Sequence, residues 1–356
     1  MSARRVLVLE SQTPFVRGGA EILVRELVGA LRIGGYEADL VSIPFRDSPR
    51  DELMAHAAVW RLIDLRTALE RNVDVVIPTK FPTYFVRHPA KVAWLVHQHR
   101  AAYELCGTPY SDFDHTERDV GLRKQLIDLD TRMLTECAGL FTIARTVSAR
   151  VERYNGLRAE ALYHPPRLAA AIRAGAYGDY MLAVSRLEKV KRLDLAIEAF
   201  AHVPAPLRLL IAGEGSVRAD LEARIERLQL RHRVQLLGHV DDQTILELLA
   251  GARGVLFAPF QEDYGYVTLE AFLAHKPVVT SSDAGGPLEF VEDGVNGFVR
   301  DATPDAIAEA VVRLGNDANL ARRLGEQGYE RARRITWEGV VDRLVATGLT
   351  PVAAQT

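Results

Sequence analysis

The densest chemistry in the chain lies in the run Pro259-Phe260-Gln261-Glu262-Asp263-Tyr264-Gly265-Tyr266-Val267-Thr268-Leu269-Glu270-Ala271. The apolar residues Val255–Phe257 before it predict a strand, and a helix is predicted to start near Tyr266. Glu262 then leaves a strand, and Glu270 sits about one turn inside a helix. Gly265 permits a sharp turn between them, and the first amides of the helix have no partners within it, so they present its positive end. A buried carboxylate beside an anion site is costly unless it finds donors, and sugar hydroxyls are donors that suit it. Taken singly, a loop acid and an acid near a helix start are common; the pairing is the signal.

Three further segments could cooperate with that pair. Ser185-Arg186-Leu187-Glu188-Lys189-Val190-Lys191-Arg192 leaves a strand and enters a helix, which puts Arg186 and Lys191 where both could reach one pyrophosphate. Gly18-Gly19-Ala20-Glu21 opens the first helix, either as a plain turn or as a backbone cradle for an anion. Val96-His97-Gln98-His99-Arg100 closes a strand, where a lone histidine is more often structural than catalytic. Gly213-Glu214-Gly215 follows an apolar strand, but Arg218 stands where a dinucleotide fingerprint needs its third glycine. That favours a tight turn over a nicotinamide site.

Positioning these residues requires strand–helix alternation, and the sequence supplies it twice. In the first half, strands are predicted at Val6–Leu9, Ala38–Ile43, Val73–Ile77, Val92–Val96 and Leu140–Ile143. Leu23, Leu27 and Leu31 stripe one helix; Leu122, Leu126, Leu129 and Met133 stripe another from about Asp119. In the second half, strands at Tyr180–Ser185, Leu207–Ala212, Val234–Leu237, Val255–Phe257 and Val278–Thr280 alternate with helices near 192–202, 218–230, 243–252, 267–275 and 304–315. Such alternation implies an α/β protein built from two doubly wound parallel sheets, broken near His164-Pro165-Pro166. The ligands of such sheets bind at the carboxyl ends of the strands. A last amphipathic segment, Ala332–Leu344, follows the second sheet.

The 356 residues suit two domains, and 48% hydrophobic with 26% charged residues excludes a disordered chain. A net charge of −3 argues against nucleic acid as a partner. Residues 1–175 carry 24 basic and 21 acidic side chains, and the remainder carries 20 and 26, a weak pointer to an anionic ligand or membrane surface on the first half. Cys106 and Cys137 make neither a disulfide framework nor a zinc quartet. No run approaches the length of a membrane span, and the short apolar run Val6–Leu9 does not make a signal peptide. The expected setting is cytoplasmic, with at most peripheral contact at the inner face of a membrane.

Glu262, seven residues and then Glu270, with SRLEKVKRLDLAIEAF upstream, GGAE near the start and DAGGPLEFVEDGVNGF downstream, resembles the family 4 retaining glycosyltransferases of the GT-B fold. The resemblance runs over about 4–345 and is most specific in 180–300. It implies two Rossmann-like domains facing across a cleft: an acceptor-binding domain over 1–168, a nucleotide-sugar-binding domain over 169–335, and a helix and tail over 336–356 packing back on the first. It further implies that Glu262 contacts the donor hexose and Glu270 the ribose. Arg186 and Lys191 would hold the diphosphate, as would the amides of Gly265, Tyr266 and Val267, with Gly18 and Gly19 as the loop glycines. His97 would face the transferred sugar, and His99 and Arg100 would serve the acceptor. The implied reaction moves a hexose from a UDP- or GDP-sugar to a hydroxyl of a glycan or lipid-linked acceptor. Tyr163-His164-Pro165-Pro166 replaces the usual Asn-Gly, a variant found in some bacterial polysaccharide mannosyltransferases, and this tips the hexose toward mannose.

No metal is expected. Asp128 and Asp130 fall within a predicted helix, where positions i and i+2 diverge too far to chelate one ion. Asp112 and Asp114 lie in a polar loop without a third ligand.

Overall fold

The computed structural model describes residues 3–15, 18–46 and 49–350; the tail from 351 lies outside them. The chain divides into two units. One holds the chain up to His164 and again from Thr336, and the other holds Pro165–Ile335. The first crossing falls within the His164-Pro165-Pro166 break.

The first unit runs β1 (Arg5–Gln12), α1 (Gly19–Ile33), β2 (Glu37–Pro44), α2 (Leu53–Leu62), β3 (Val75–Pro78), β4 (Val92–Leu95), α3 (Glu117–Thr135), β5 (Gly139–Thr142), α4 (Arg145–Asn155) and β6 (Glu160–Ala161). The strands lie in the orders β2-β1-β3 and β4-β5-β6, all parallel, and the bridges Val76–Lys91 and Lys80–His97 join the two sets. The order reverses between β1 and β3, so their carboxyl ends form a switch point of the kind where open α/β sheets bind ligands. The inner strands β3 and β4 are apolar on both faces because helices cover both. Val75, Val76, Ile77 and Val92 through Leu95 are fully buried.

The second unit runs β7 (Tyr180–Val184), α5 (Leu193–His202), β8 (Arg208–Ala212), α6 (Arg218–Arg227), β9 (Val234–Gly238), α7 (Asp242–Gly251), β10 (Gly254–Leu256), α8 (Tyr266–Leu273), β11 (Val278–Ser281), β12 (Gly297–Arg300), α9 (Pro304–Asn316) and α10 (Ala318–Ala332). Six parallel strands follow the order β9-β8-β7-β10-β11-β12. Here the switch point lies between β7 and β10. Leu221 and Ile225 of α6 and Ile307, Val311 and Leu314 of α9 are buried against Met181, Leu209, Ile211 and Val279 of the sheet, as their helical spacing requires.

Two expectations are corrected. Ala332–Leu344 is not one segment: α10 stops at Ala332, and a separate α11 (Trp337–Leu349) begins after Thr336. α11 belongs to the first unit, where Val340, Val341, Leu344 and Val345 are buried. Gly348 lets it approach Val75, since a Cβ there would lie 2.8 Å from that side chain. The stripe on α3 is also shifted. Of Leu122, Leu126, Leu129 and Met133, Leu126 alone is fully buried, and Asp119, Asp130 and Leu134 share its face. An acid replaces a leucine there because Tyr103 donates to Asp130 Oδ2 at 2.6 Å inside the unit.

Candidate active site

In the second unit, the loops leaving β7 and β10 meet at the switch point. Phe260 N donates to Val190 O (2.8 Å), and Lys191 Nζ lies 2.5 Å from Glu262 Oε2, both side chains largely buried. The main chain of Glu262 is held on both sides by the loop after β11: its N–H donates to Ala284 O and its C=O accepts from Gly286, each at 2.7 Å. Gly285 has φ +77°, and a Cβ there would lie 2.6 Å from Glu262 O. The DAGG stretch is therefore shaped by close backbone approach to Glu262. The glycines of Gly213-Glu214-Gly215 act similarly, because Cβ atoms there would meet Ser185 O at 1.9 Å and Leu187 O at 2.3 Å. They pack the loop after β8 against the loop that carries Arg186.

Gly265, at φ +82°, ends the β10 loop, and α8 starts at Tyr266. No acidic residue occupies the first turn of α8, so the positive end formed by the amides of Tyr266 and Val267 carries no carboxylate from its own helix. Glu270 lies one turn in, partly reached by solvent. Burial pushes its carboxyl up to about 7; Arg167 pulls it down and Asp242 pushes it up. Arg167 and Asp242 form a bidentate pair at 2.7 and 2.5 Å. Arg186, expected to join Lys191 on one anion, pairs with Glu188 at 2.6 Å and is half exposed. Gln261 and Arg192 both have φ in the left-handed region, which costs about 1–2 kcal/mol for a residue with a Cβ. Such strain clusters where surrounding contacts over-determine the backbone.

The switch point of the first unit is built differently. Gly18 caps α1, and its N–H donates to Glu21 Oε2 at 2.9 Å. Glu21 Oε1 in turn pairs with Lys80 Nζ at 2.8 Å, both side chains nearly buried. Burial alone would raise the Glu21 carboxyl, but Lys80 and the Gly18 amide hold it below the ordinary value. The Gly18 amide expected to face an external anion is thus taken by the chain's own carboxylate. The capping-box spacing of Gly18 and Glu21 carried that signal in the sequence.

His97 follows β4, bridges to Lys80, and has Nδ1 2.6 Å from Gln98 O. His99 packs between Phe81 and Phe113, each 5.7 Å away centroid to centroid. Arg100 pairs with Glu104 at 2.5 Å, and Glu104 also holds Arg150 at 2.9 Å. Behind this segment Gln98 donates to Asn155 (3.2 Å), Asn155 donates to Thr131 (2.9 Å), and Tyr103 donates to Asp130, whose carboxyl burial pushes up to about 7. Asp128 is exposed while Asp130 is buried, so the two point to opposite faces of α3. Among the described residues, no cluster of three or more His, Cys, Asp or Glu is placed to hold a metal, and no helix is long and apolar enough to cross a membrane.

Comparison with known proteins puts these loops in context. Residues 175–331 match the family described as glycosyl transferases group 1. An uncharacterized glycosyltransferase of Methanocaldococcus jannaschii is 26% identical over 342 residues, covering 85% of this chain and 87% of that protein. The fold is similar to that of a sucrose-phosphate synthase from Thermosynechococcus elongatus, with a TM-score of 0.76 at 18% identity over 96% of this chain and 97% of that one. It is also similar to Anabaena HepE, crystallised with UDP and glucose, at a TM-score of 0.70 and 17% identity over 96% of this chain and 98% of that one. The fold shared with these structures is GT-B, with two Rossmann-like units. Over residues 175–331, the chain is similar to the glycosyl transferases of group 1.

Proposed function

We propose that this chain transfers a hexosyl group from a nucleoside diphosphate sugar to a hydroxyl, with retained anomeric configuration and without a metal. The observation that carries the reading is the Lys191–Glu262 pair at the β7/β10 switch point, beside a helix start with no acid in its first turn. Lys191, Arg186 and the amides of Gly265, Tyr266 and Val267 receive the diphosphate, whose charge grows as it leaves. Glu262 accepts from hydroxyls of the hexose, and Glu270 from the ribose diol. Lys191 moves from the Glu262 carboxylate to the phosphate as the donor enters, which releases Glu262 to the sugar. Gly18 and Gly19 line the sugar side, Gly19 through its amide and Gly18 through its lack of a side chain.

The bond from the anomeric carbon to the phosphate oxygen breaks, and a bond to the acceptor oxygen forms on the same face. The departing phosphate oxygen takes the acceptor proton. Double displacement would need a second carboxylate about 5 Å from the first across the scissile bond. Glu262 is instead paired with a lysine, which favours the front-face route. His97 positions the hexose, and His99 and Arg100 lie on the acceptor side. A glycan or lipid-linked acceptor in bacterial-type polysaccharide or glycoconjugate synthesis fits a cytoplasmic enzyme with at most peripheral contact at the inner face of the membrane. Mannose from GDP-mannose is the donor that the Tyr163–Pro166 variant favours.

A thermal-shift panel of UDP-, GDP- and dTDP-sugars tests the reading. A ligand at 100 times its Kd adds about 2.7 kcal/mol of stability. Turnover of the stabilising donor with water as acceptor should give free hexose of retained configuration. Formation of an epimeric nucleotide sugar would point to an epimerase, and binding without turnover to a non-catalytic binding protein.

A further inference from the structure

Arg192, directly after Lys191, gathers the ends of two strands. Its Nε donates to Ala258 O (3.1 Å), and its Nη2 donates to Pro259 O (2.7 Å) and Ser281 Oγ (3.0 Å). Both terminal nitrogens reach Asp283, at 2.9 and 2.5 Å. The guanidinium therefore ties the carboxyl end of β10 to the carboxyl end of β11 through a fixed fork of donors, which a lysine could not reproduce. Gln261 N donates to Asp283 O (3.0 Å), and the next two hydrogen bonds of that loop are those that hold the Glu262 main chain. On its other side, Arg192 shares its turn with Val190, whose carbonyl receives Phe260 N. Burial would raise the Asp283 carboxyl, but Arg192 holds it below the ordinary value, so the clamp stays charged on both sides.

We propose that Arg192 is a positioning residue which, with Asp283, holds Glu262 and Lys191 in register. The clamp is a statement about this unit alone; its kinetic consequence rests on the donor-site reading above. Neither residue touches the sugar or the phosphates. Their effect on turnover comes through Glu262, because a displacement of about 1 Å at a reacting centre can cost about 10²-fold in rate.

The test combines hydrogen exchange with donor turnover in the full chain, comparing wild type, Arg192→Gln, Arg192→Lys and Asp283→Asn. Exchange at residues 259–262 and 283–286 should accelerate by about tenfold or more in Arg192→Gln and Asp283→Asn, while 180–184 and 208–212 keep their protection. Turnover of UDP-glucose or GDP-mannose should fall by about 10²-fold, with the loss in kcat and a much smaller change in the affinity for UDP or GDP. Arg192→Lys should rescue neither exchange nor kcat. Should Arg192→Gln not fold, Asp283→Asn carries the same expectations.

Unchanged exchange in those two segments would overturn the proposal. So would acceleration spread evenly over the unit, or a lysine variant that behaves as wild type. If the wild-type chain turns over no donor, the donor-site reading fails, and the exchange pattern still decides the clamp.

Discussion

Each unit carries a lysine–glutamate pair at the switch point of its sheet, and the two pairs do different work. In the first, Glu21 lies on the opening turn of α1, accepts the Gly18 amide and pairs with Lys80, with side-chain exposures of 7% and 11%. In the second, Glu262 and Lys191 both come from loops, are exposed at 18% and 14%, and leave the start of α8 without an acid of its own. The first pair completes a helix cap, so the positive end of α1 is neutralised from within. The second stands beside a helix start that has no acid in its own first turn. Similar residues at similar topological points thus give a pair that caps a helix in one unit, and in the other a loop pair that the proposed function assigns to the donor.

The largest effect should come from breaking the structural pair. Glu21→Ala leaves Lys80 buried without its carboxylate and should cost about 3 kcal/mol or more of stability, read by denaturant unfolding. A loss under about 0.5 kcal/mol, the range of ordinary surface substitutions, would place that pair on the ligand side of the comparison. Next comes Glu262→Gln, which keeps shape and removes charge. It should lower turnover by about 10²-fold, as for loss of ~2.7 kcal/mol of transition-state stabilisation, and leave UDP or GDP affinity equal or slightly tighter. Loss of diphosphate binding with kcat preserved would reverse the assigned roles.

A smaller effect is a pH dependence from Glu270. Its carboxyl titrates at about 7. Ribose hydroxyls donating to the carboxylate favour its charged form, so its pKa falls on binding. Nucleoside diphosphate affinity should therefore rise with pH up to about 7, by at most about tenfold per pH unit, with proton release visible in calorimetry across buffers. Glu270→Gln should flatten the profile, and an equally steep profile in that variant would remove Glu270 from the ribose. No effect is expected from excess EDTA on the rate. Activity lost and then restored by Mg²⁺ would make Asp112 and Asp114 the suspects.

Most strands were legible because each is a short apolar run bounded by turn residues; Glu160–Ala161 and Gly297–Arg300, which are not such runs, were missed. Tyr180–Ser185 and Val278–Thr280 differ from the observed strands by one residue each. The helices striped by Leu23, Leu27 and Leu31, by Leu221, Ile225 and Leu228, and by Ile307, Val311 and Leu314 were equally plain. α4 was missed because Val147 and Val151 alone mark its apolar face. α10 was missed because Gly325 and Gly328 weaken the helical pattern. Their reason is tertiary: a Cβ on Gly325 would lie 1.9 Å from His275 O, and one on Gly328 2.3 Å from Phe272.

At the site, Glu262, Glu270 and Lys191 stand out through residue type and their place beside predicted strands. The pairing of Lys191 with Glu262 does not, since 71 positions separate them and the order of β7 and β10 alone brings them together. The same holds for Glu21 with Lys80 and for Arg192 with Asp283.

The most direct measurement is calorimetric titration of UDP and GDP into the wild-type chain, Lys191→Ala and Lys80→Met side by side. The wild type should bind one of the two nucleotides. Lys191→Ala should lose about 1.5–3 kcal/mol of that binding, tenfold or more in Kd, as for removal of a charge-assisted contact. Folded Lys80→Met should bind as the wild type does. Undiminished binding in Lys191→Ala, with binding lost in Lys80→Met, would place the anion site in the first unit and contradict the account.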